Sequence, residues 1–152
     1  MAGRIVVGVD DSEHAAAALR WAVAEAELRD VTVEAIHVWN YVPTPSPADA
    51  GLVPLAWSDD MGIRDATRDA AERMAHDLVE RVVGRNGRVH VSIVEGDPAL
   101  ALVDAAEGAD LLVVGNRGRG SIAQALLGST SAKVSDVAPC PVVVVRAHAT
   151  EP

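Results

Sequence analysis

Phenylalanine is absent from this 152-residue chain and aromatic residues make up 3% of it, so its 49% hydrophobic content is aliphatic, with Ala and Val plentiful. Lysine occurs once, at Lys133, which leaves no Gly-Lys-Ser/Thr sequence and excludes a Walker-type nucleoside triphosphatase. A single cysteine, Cys140, excludes an intramolecular disulfide and fits a reducing compartment. Basic residues are also scarce: 13 against 22 acidic ones, a formal net charge of −9. Nucleic acids and anionic lipids are held chiefly by clustered Lys and Arg, so neither is an expected partner. The N-terminus passes from Met1-Ala2-Gly3-Arg4 straight into an amphiphilic pattern, with no cleavable leader and no membrane span. The expected location is cytoplasmic.

What is present is a regular alternation. Short apolar runs rich in β-branched residues at Ile5 to Val9, Val31 to Val38, Val89 to Val94, Leu111 to Val114 and Val142 to Val145 predict strands. Helical spacing occupies Ala15 to Leu28, Ile63 to Val83, Ala99 to Ala106 and a stretch after Gly128. Strands alternating with helices imply crossover connections and a mostly parallel α/β sheet. Asp11 or Ser12 is placed to cap the first helix, and Asp97-Pro98 supplies a cap followed by proline at the first helical position. Residues 1–147 are expected to form one domain, followed by a short polar tail at 148–152.

Pro43, Pro45, Pro47 and Pro54 interrupt the segment from Asn40 to Asp60, which reads as a long loop of the kind that serves as a lid or binding segment. Trp57 within it is expected to pack back on the body. In the second helix, Asp65/Arg68, Asp69/Arg73 and Asp77/Arg81 pair at helical spacing and mark a solvated face. Cys140, in Ala138-Pro139-Cys140-Pro141, reads as a packed thiol.

The residues that carry chemistry lie at strand ends. Gly115-Asn116-Arg117-Gly118 follows the fourth apolar run, and Gly128-Ser129-Thr130 opens the last helix. Glycines between a strand and a helix N-terminus expose backbone N–H groups to which an anion can come close. Arg117 and Arg119 lie here with no acidic residue between Asp110 and Asp136, a local positive charge suited to a phosphate ligand. Asp10 ends the first strand. In an open parallel sheet, ligands bind outside the carboxyl ends of the strands where the winding reverses. If the first and fourth strands are neighbours, a carboxylate for ribose or metal faces a phosphate cradle; otherwise Asp10 caps a helix.

The spacing Gly115-x2-Gly118-x9-Gly128-Ser129, the opening Ile5-Val6-Val7-Gly8-Val9-Asp10-Asp11-Ser12 and the closing Ala138-Pro139-Cys140-Pro141-Val142-Val143-Val144-Val145 resemble the universal stress protein family over essentially the whole chain. The resemblance implies an open five-stranded parallel sheet of order 3-2-1-4-5 with helices on both faces, Rossmann-like and of the adenine nucleotide alpha hydrolase kind. It further implies ATP binding, with Asp10 on ribose or a metal-associated group and the Val38 backbone on adenine. Gly115, Gly118, Gly128, Ser129 and Thr130 would hold ribose and phosphates, with Ser129 both capping the last helix and binding phosphate. Arg117 and Arg119 join them by charge. Mg²⁺ or Mn²⁺ would travel with the phosphates, Asp10 being the one protein group near it. A homodimer through the edge strand Val142 to Val145 and an unknown protein partner complete the picture. Asn116 and Thr130 depart from the family pattern, which often has serine and valine there.

Other classes fit less well. Gly118-Arg119-Gly120-Ser121-Ile122-Ala123 matches a dinucleotide fingerprint, but it follows the fourth strand rather than the first and no acid stands about twenty residues on at a second strand's end. There is no G-x-S-x-G elbow, and His14, His37, His76, His90 and His148 share no metal-ligand spacing. Catalysis is therefore expected to be absent, or limited to slow, incidental ATP hydrolysis. The remaining alternative is a dimeric interaction module that binds cyclic AMP or no nucleotide.

Overall fold

A computed structural model describes residues 3–41, 60–117 and 127–147, the side chains of Asp60 and Met61 excepted. In chain order the elements are β1 (Arg4–Gly8), α1 (Glu13–Arg29), β2 (Thr32–Trp39), α2 (Asp60–Val83), β3 (Val89–Glu95), α3 (Pro98–Ala105), β4 (Leu111–Gly115), α4 (Ser129–Val137) and β5 (Val142–Val145). The strands form one sheet of order β3-β2-β1-β4-β5, and every neighbouring pair is parallel. This is the anticipated fold class and strand order. The central strand β1 pairs Ile5 with Val33 of β2 on one side and with Leu111 of β4 on the other. Winding therefore runs outward in both directions from β1.

Both sheet faces are covered, which explains why the strands read as continuous apolar runs rather than alternating ones. Ile5, Val7, Val33, Ala35, Leu111 and Val113 point to α1 and α2, packing on Leu19, Leu78 and Val79. Val6, Ile36, Leu112 and Val114 point the other way, onto Leu102 of α3 and Val134 of α4. Helix α1 turns an alanine-rich face to the sheet, with Ala16, Ala18, Ala22 and Ala26 fully buried. Small side chains let its axis come close, and two glycines extend that closeness. A Cβ on Gly115 would stand 2.8 Å from the backbone carbonyl carbon of His14 in the first turn of α1. A Cβ on Gly8 would stand 2.8 Å from a Leu102 methyl group.

Capping follows the sequence signals at two helices and departs from them at a third. Ser12 Oγ accepts the Ala15 N–H at 3.1 Å, and Asp97 Oδ1 accepts the Leu100 N–H at 2.9 Å ahead of Pro98. At α4 the cap is Gly128 in extended conformation (φ −69°, ψ 165°), with no side-chain cap bond, and Ser129 is the first helical residue. Ser129 is thus not the N-cap: capping needs the extended backbone that Gly128 has adopted.

One further expectation is corrected and one is refined. The second strand starts at Thr32 rather than Val31 because the Val31 N–H is spent on the Ala26 carbonyl, closing the end of α1 after the left-handed Asp30 (φ 56°). Asp65, Arg68, Asp69, Arg73, Asp77 and Arg81 are all exposed, the solvated face expected of them, and their pairs do not close to ion-pair distance among the described residues; α2 instead joins Arg64 to Glu95 of β3 and Glu80 to Arg85. Long solvated side chains gain too little from such pairs to be held in one geometry. Trp57 and most of the proline-rich segment lie outside the described residues.

Candidate functional site

A cavity of about 440 Å³ opens across the carboxyl ends of β2, β1 and β4. That is the topological switch point, where crossovers leave the sheet in opposite directions and their loops separate. The volume lies in the range of small-molecule and cofactor sites. Of the residues singled out by sequence, Asp10, Val38, Gly115, Arg117, Gly128, Ser129 and Thr130 all line it. Gly118 and Arg119 lie outside the described residues.

One wall is made by the start of α4. The first intrahelical bond there runs from the Ala132 N–H to the Gly128 carbonyl, so the amides of Ser129, Thr130 and Ser131 precede the helical ladder. These N–H groups, at the positive end of the helix dipole and with no side-chain cap, form an anion cradle. Asn116 fixes its position. Its carbonyl accepts the Gly128 N–H at 2.7 Å and the Ser131 hydroxyl at 3.2 Å, and its own N–H bonds the Val145 carbonyl at 2.9 Å. Asn116 is 6% exposed, and its Oδ1 is buried with no hydrogen-bond partner among the described residues. Arg117, next in sequence, lines the cavity with its Nε buried and likewise without a partner among the described residues.

Gly115 has a second role that its phosphate-loop reading did not contain. It borders the cavity, but the close backbone of His14 also forbids any side chain there. Helix α1 can therefore start directly over the end of β4.

The middle of the cavity is Asp10, half-buried beyond β1. Its Oδ1 accepts the Ser12 N–H at 2.8 Å, a local turn that orients the carboxylate while Ser12 caps α1. Capping by Asp10 itself is thus replaced by capping through its neighbour. Among the described residues no group of three or more His, Cys, Asp or Glu side chains is arranged to hold a metal ion. A cation here would take most of its ligands from a bound phosphate and from water, with Asp10 as one added oxygen donor.

The far end is apolar: Val9, Ile36, Val38, Met74 of α2 and Leu102 of α3. His37 joins them and was passed over in the sequence, where it is one of several scattered histidines. Its Nδ1 bonds the Val9 carbonyl at 2.9 Å, tying the end of β2 to β1 at the cavity floor. The available signal was position, one residue before Val38 at a strand's carboxyl end.

Cys140 lies away from this cavity, packed against the cluster of Leu112, Val134 and Val142. Burial pushes its thiol pKa up, which suits a packing residue and not a nucleophile. Among the described residues no helix is long and apolar enough to cross a membrane.

Comparison with known proteins places this architecture. A profile of the universal stress protein family matches residues 1–146. A universal stress protein of Mycolicibacterium smegmatis is 36% identical over 142 residues, covering 93% of this chain and 47% of that protein. The chain thus spans about half the length of the curated relatives it matches. The solved structure of UspA from Lactobacillus plantarum is 28% identical, with a TM-score of 0.74 and coverage of 95% of this chain and 97% of that one. A universal stress protein solved in complex with cyclic AMP is also 28% identical, with a TM-score of 0.61 and coverage of 94% and 95%. With the family profile matched over residues 1–146 and Asp10, Gly115 and Gly128 gathered on one cavity, the chain belongs to the universal stress protein family.

Proposed function

We propose that the cavity binds an adenine nucleotide, ATP by preference, and that the protein acts as a nucleotide-dependent regulatory module with little or no turnover. The observation that carries this reading is the order of chemistry along one cavity: anion cradle at β4–α4, carboxylate at β1, apolar end at β2. Adjacent strands lie about 4.8 Å apart, so the three stations span about 10 Å. A nucleotide laid across them puts phosphates on the Ser129 and Thr130 amides and on Arg117, ribose by Asp10, and the base over Val38. Gly118 and Arg119 complete the phosphate end in this proposal, and Mg²⁺ or Mn²⁺ accompanies the phosphates beside Asp10.

Arg117 with its buried, unpaired Nε favours a multiply charged phosphate chain over a singly charged cyclic phosphate. Cyclic AMP is the second reading, favoured by the relative solved with that ligand. Residues 1–147 act as one domain that works in the cytoplasm as a homodimer joined through β5, and nucleotide occupancy selects a protein partner. The test is to denature freshly purified protein and identify released nucleotide by mass spectrometry, then titrate the emptied protein with ATP, AMP and cyclic AMP. Release of ATP and its tightest binding are the expected results. Binding of none of the three would overturn the reading, and tightest binding of cyclic AMP would replace it with the second.

A further inference from the structure

The apolar end of the cavity contains one side chain able to read a base edge. The His37 ring lines the cavity, and its Nδ1 lies 2.9 Å from the Val9 carbonyl oxygen. A carbonyl can only accept, so Nδ1 carries the proton. In the neutral ring Nε2 is then a bare acceptor. It has no protein partner among the described residues and is not among the buried, unpartnered side-chain atoms, so it retains accessible surface in a residue that lines the cavity. Val9 is itself fixed, its N–H bonded to the Ile36 carbonyl at 2.8 Å, and the ring is therefore held in both position and tautomer.

We infer that His37 is a base-selecting residue, whose Nε2 accepts a hydrogen bond from the exocyclic amine of a 6-aminopurine and rejects a 6-oxopurine. This rests on the nucleotide reading of the cavity given above and adds to it the group that chooses the base. A 6-oxo base would set acceptor against acceptor. To receive it, the ring would have to take on charge beside Met74 and Val38, or move its proton from Nδ1 and forfeit the Val9 bond. Buried polar groups left unpaired are what make such sites discriminate.

Isothermal titration of the emptied full chain with ATP and with inosine triphosphate, which differ in amine against oxo at the 6 position and in a bare N1 against N1–H, tests this when wild type and His37 variants are compared. The wild-type protein should bind ATP at least about 10-fold more tightly, the worth of one such hydrogen bond. His37→Asn keeps an amide N–H near the Nδ1 position for Val9 and removes Nε2. It should weaken ATP about 10-fold and leave inosine triphosphate unchanged, so that the preference disappears. His37→Gln puts a terminal amide near the Nε2 position, whose oxygen can accept from the amine or, turned over, whose NH2 can donate to the oxo group, so it should keep ATP affinity, tighten inosine triphosphate and lose the preference, even if His37→Asn proves unstable. Undiminished preference in His37→Asn or in His37→Gln would overturn the inference while the nucleotide site stands. Absence of binding by either triphosphate to the wild type would instead remove the site reading on which it rests.

Discussion

Replacing Gly115 by alanine separates a glycine needed for packing from one needed only for ligand approach. The added methyl would lie 2.8 Å from the His14 carbonyl carbon and 2.9 Å from its carbonyl oxygen and Cβ. Reaching an ordinary contact of 3.4 Å takes about 0.6 Å of displacement, and the obstacle is helix backbone with no rotamer to turn. Either α1 lifts at its first turn or the end of β4 bends. Overpacking of this kind costs about 1–3 kcal/mol. For a chain of this size that lowers the melting temperature by roughly 3–10 °C. The displaced turn is also the one whose Ser12 N–H holds Asp10 Oδ1, so nucleotide affinity should fall with stability. Gly87→Ala is the control, because nothing lies within 4 Å of where its new Cβ would stand and its change should stay within about 0.5 kcal/mol. Thermal unfolding by circular dichroism, with and without ATP, measures both. A Gly115→Ala protein that melts with the wild type would refute the close-approach reasoning, whatever its nucleotide affinity.

Other consequences can be checked in parallel. Ser12→Ala removes the α1 cap and should cost about 1 kcal/mol in urea unfolding, since Ala15 N–H loses its partner. Arg117→Ala should weaken ATP more than cyclic AMP and reduce the salt dependence of ATP binding; equal losses for both would show that Arg117 does not face the phosphate chain. Cys140, its pKa raised by burial, holds less thiolate than a free cysteine at any given pH near the ordinary thiol range, so iodoacetamide should label native protein more slowly than urea-unfolded protein. Equal rates would contradict its burial. Pro141 O and Val145 O both accept from β4, so the alternation of a parallel ladder turns the Val144 N–H outward to the open edge. Val144→Pro should therefore spare the β4–β5 ladder and yield monomers in sedimentation; an unchanged dimer would exclude pairing through β5.

The fold was legible in the sequence because the signals agreed locally: β-branched runs such as Leu111 to Val114, caps at Ser12 and Asp97, and the Asp97-Pro98 helix start. The lining of the candidate cavity was legible where a residue type carries its own chemistry, as at Asp10, Gly115, Arg117 and Gly128. It was not legible where the role depends on what the chain brings from afar. Gly115 serves α1, about a hundred residues earlier in sequence, and no local pattern reveals that. Ser129 looked like a cap because it stands where a helix begins, but glycine can take the cap position without a side-chain bond and shift serine inward by one. His37 acquires meaning only through Val9, just beyond the neighbouring strand β1.

The Asn116 carbonyl, which takes hydrogen bonds from both Gly128 and Ser131, joins the two ends of the segment 117–127 at a single atom. For protein engineering this marks the part of the segment beyond Arg119 as a place for insertion, with the proposed phosphate residues Arg117, Gly118 and Arg119 left intact. Closing a longer loop between fixed ends costs only about 0.6 kcal/mol per doubling of its length. A peptide or reporter domain inserted there would leave the start of α4 where it is, so that the distance between insert and cavity becomes a design variable independent of the fold.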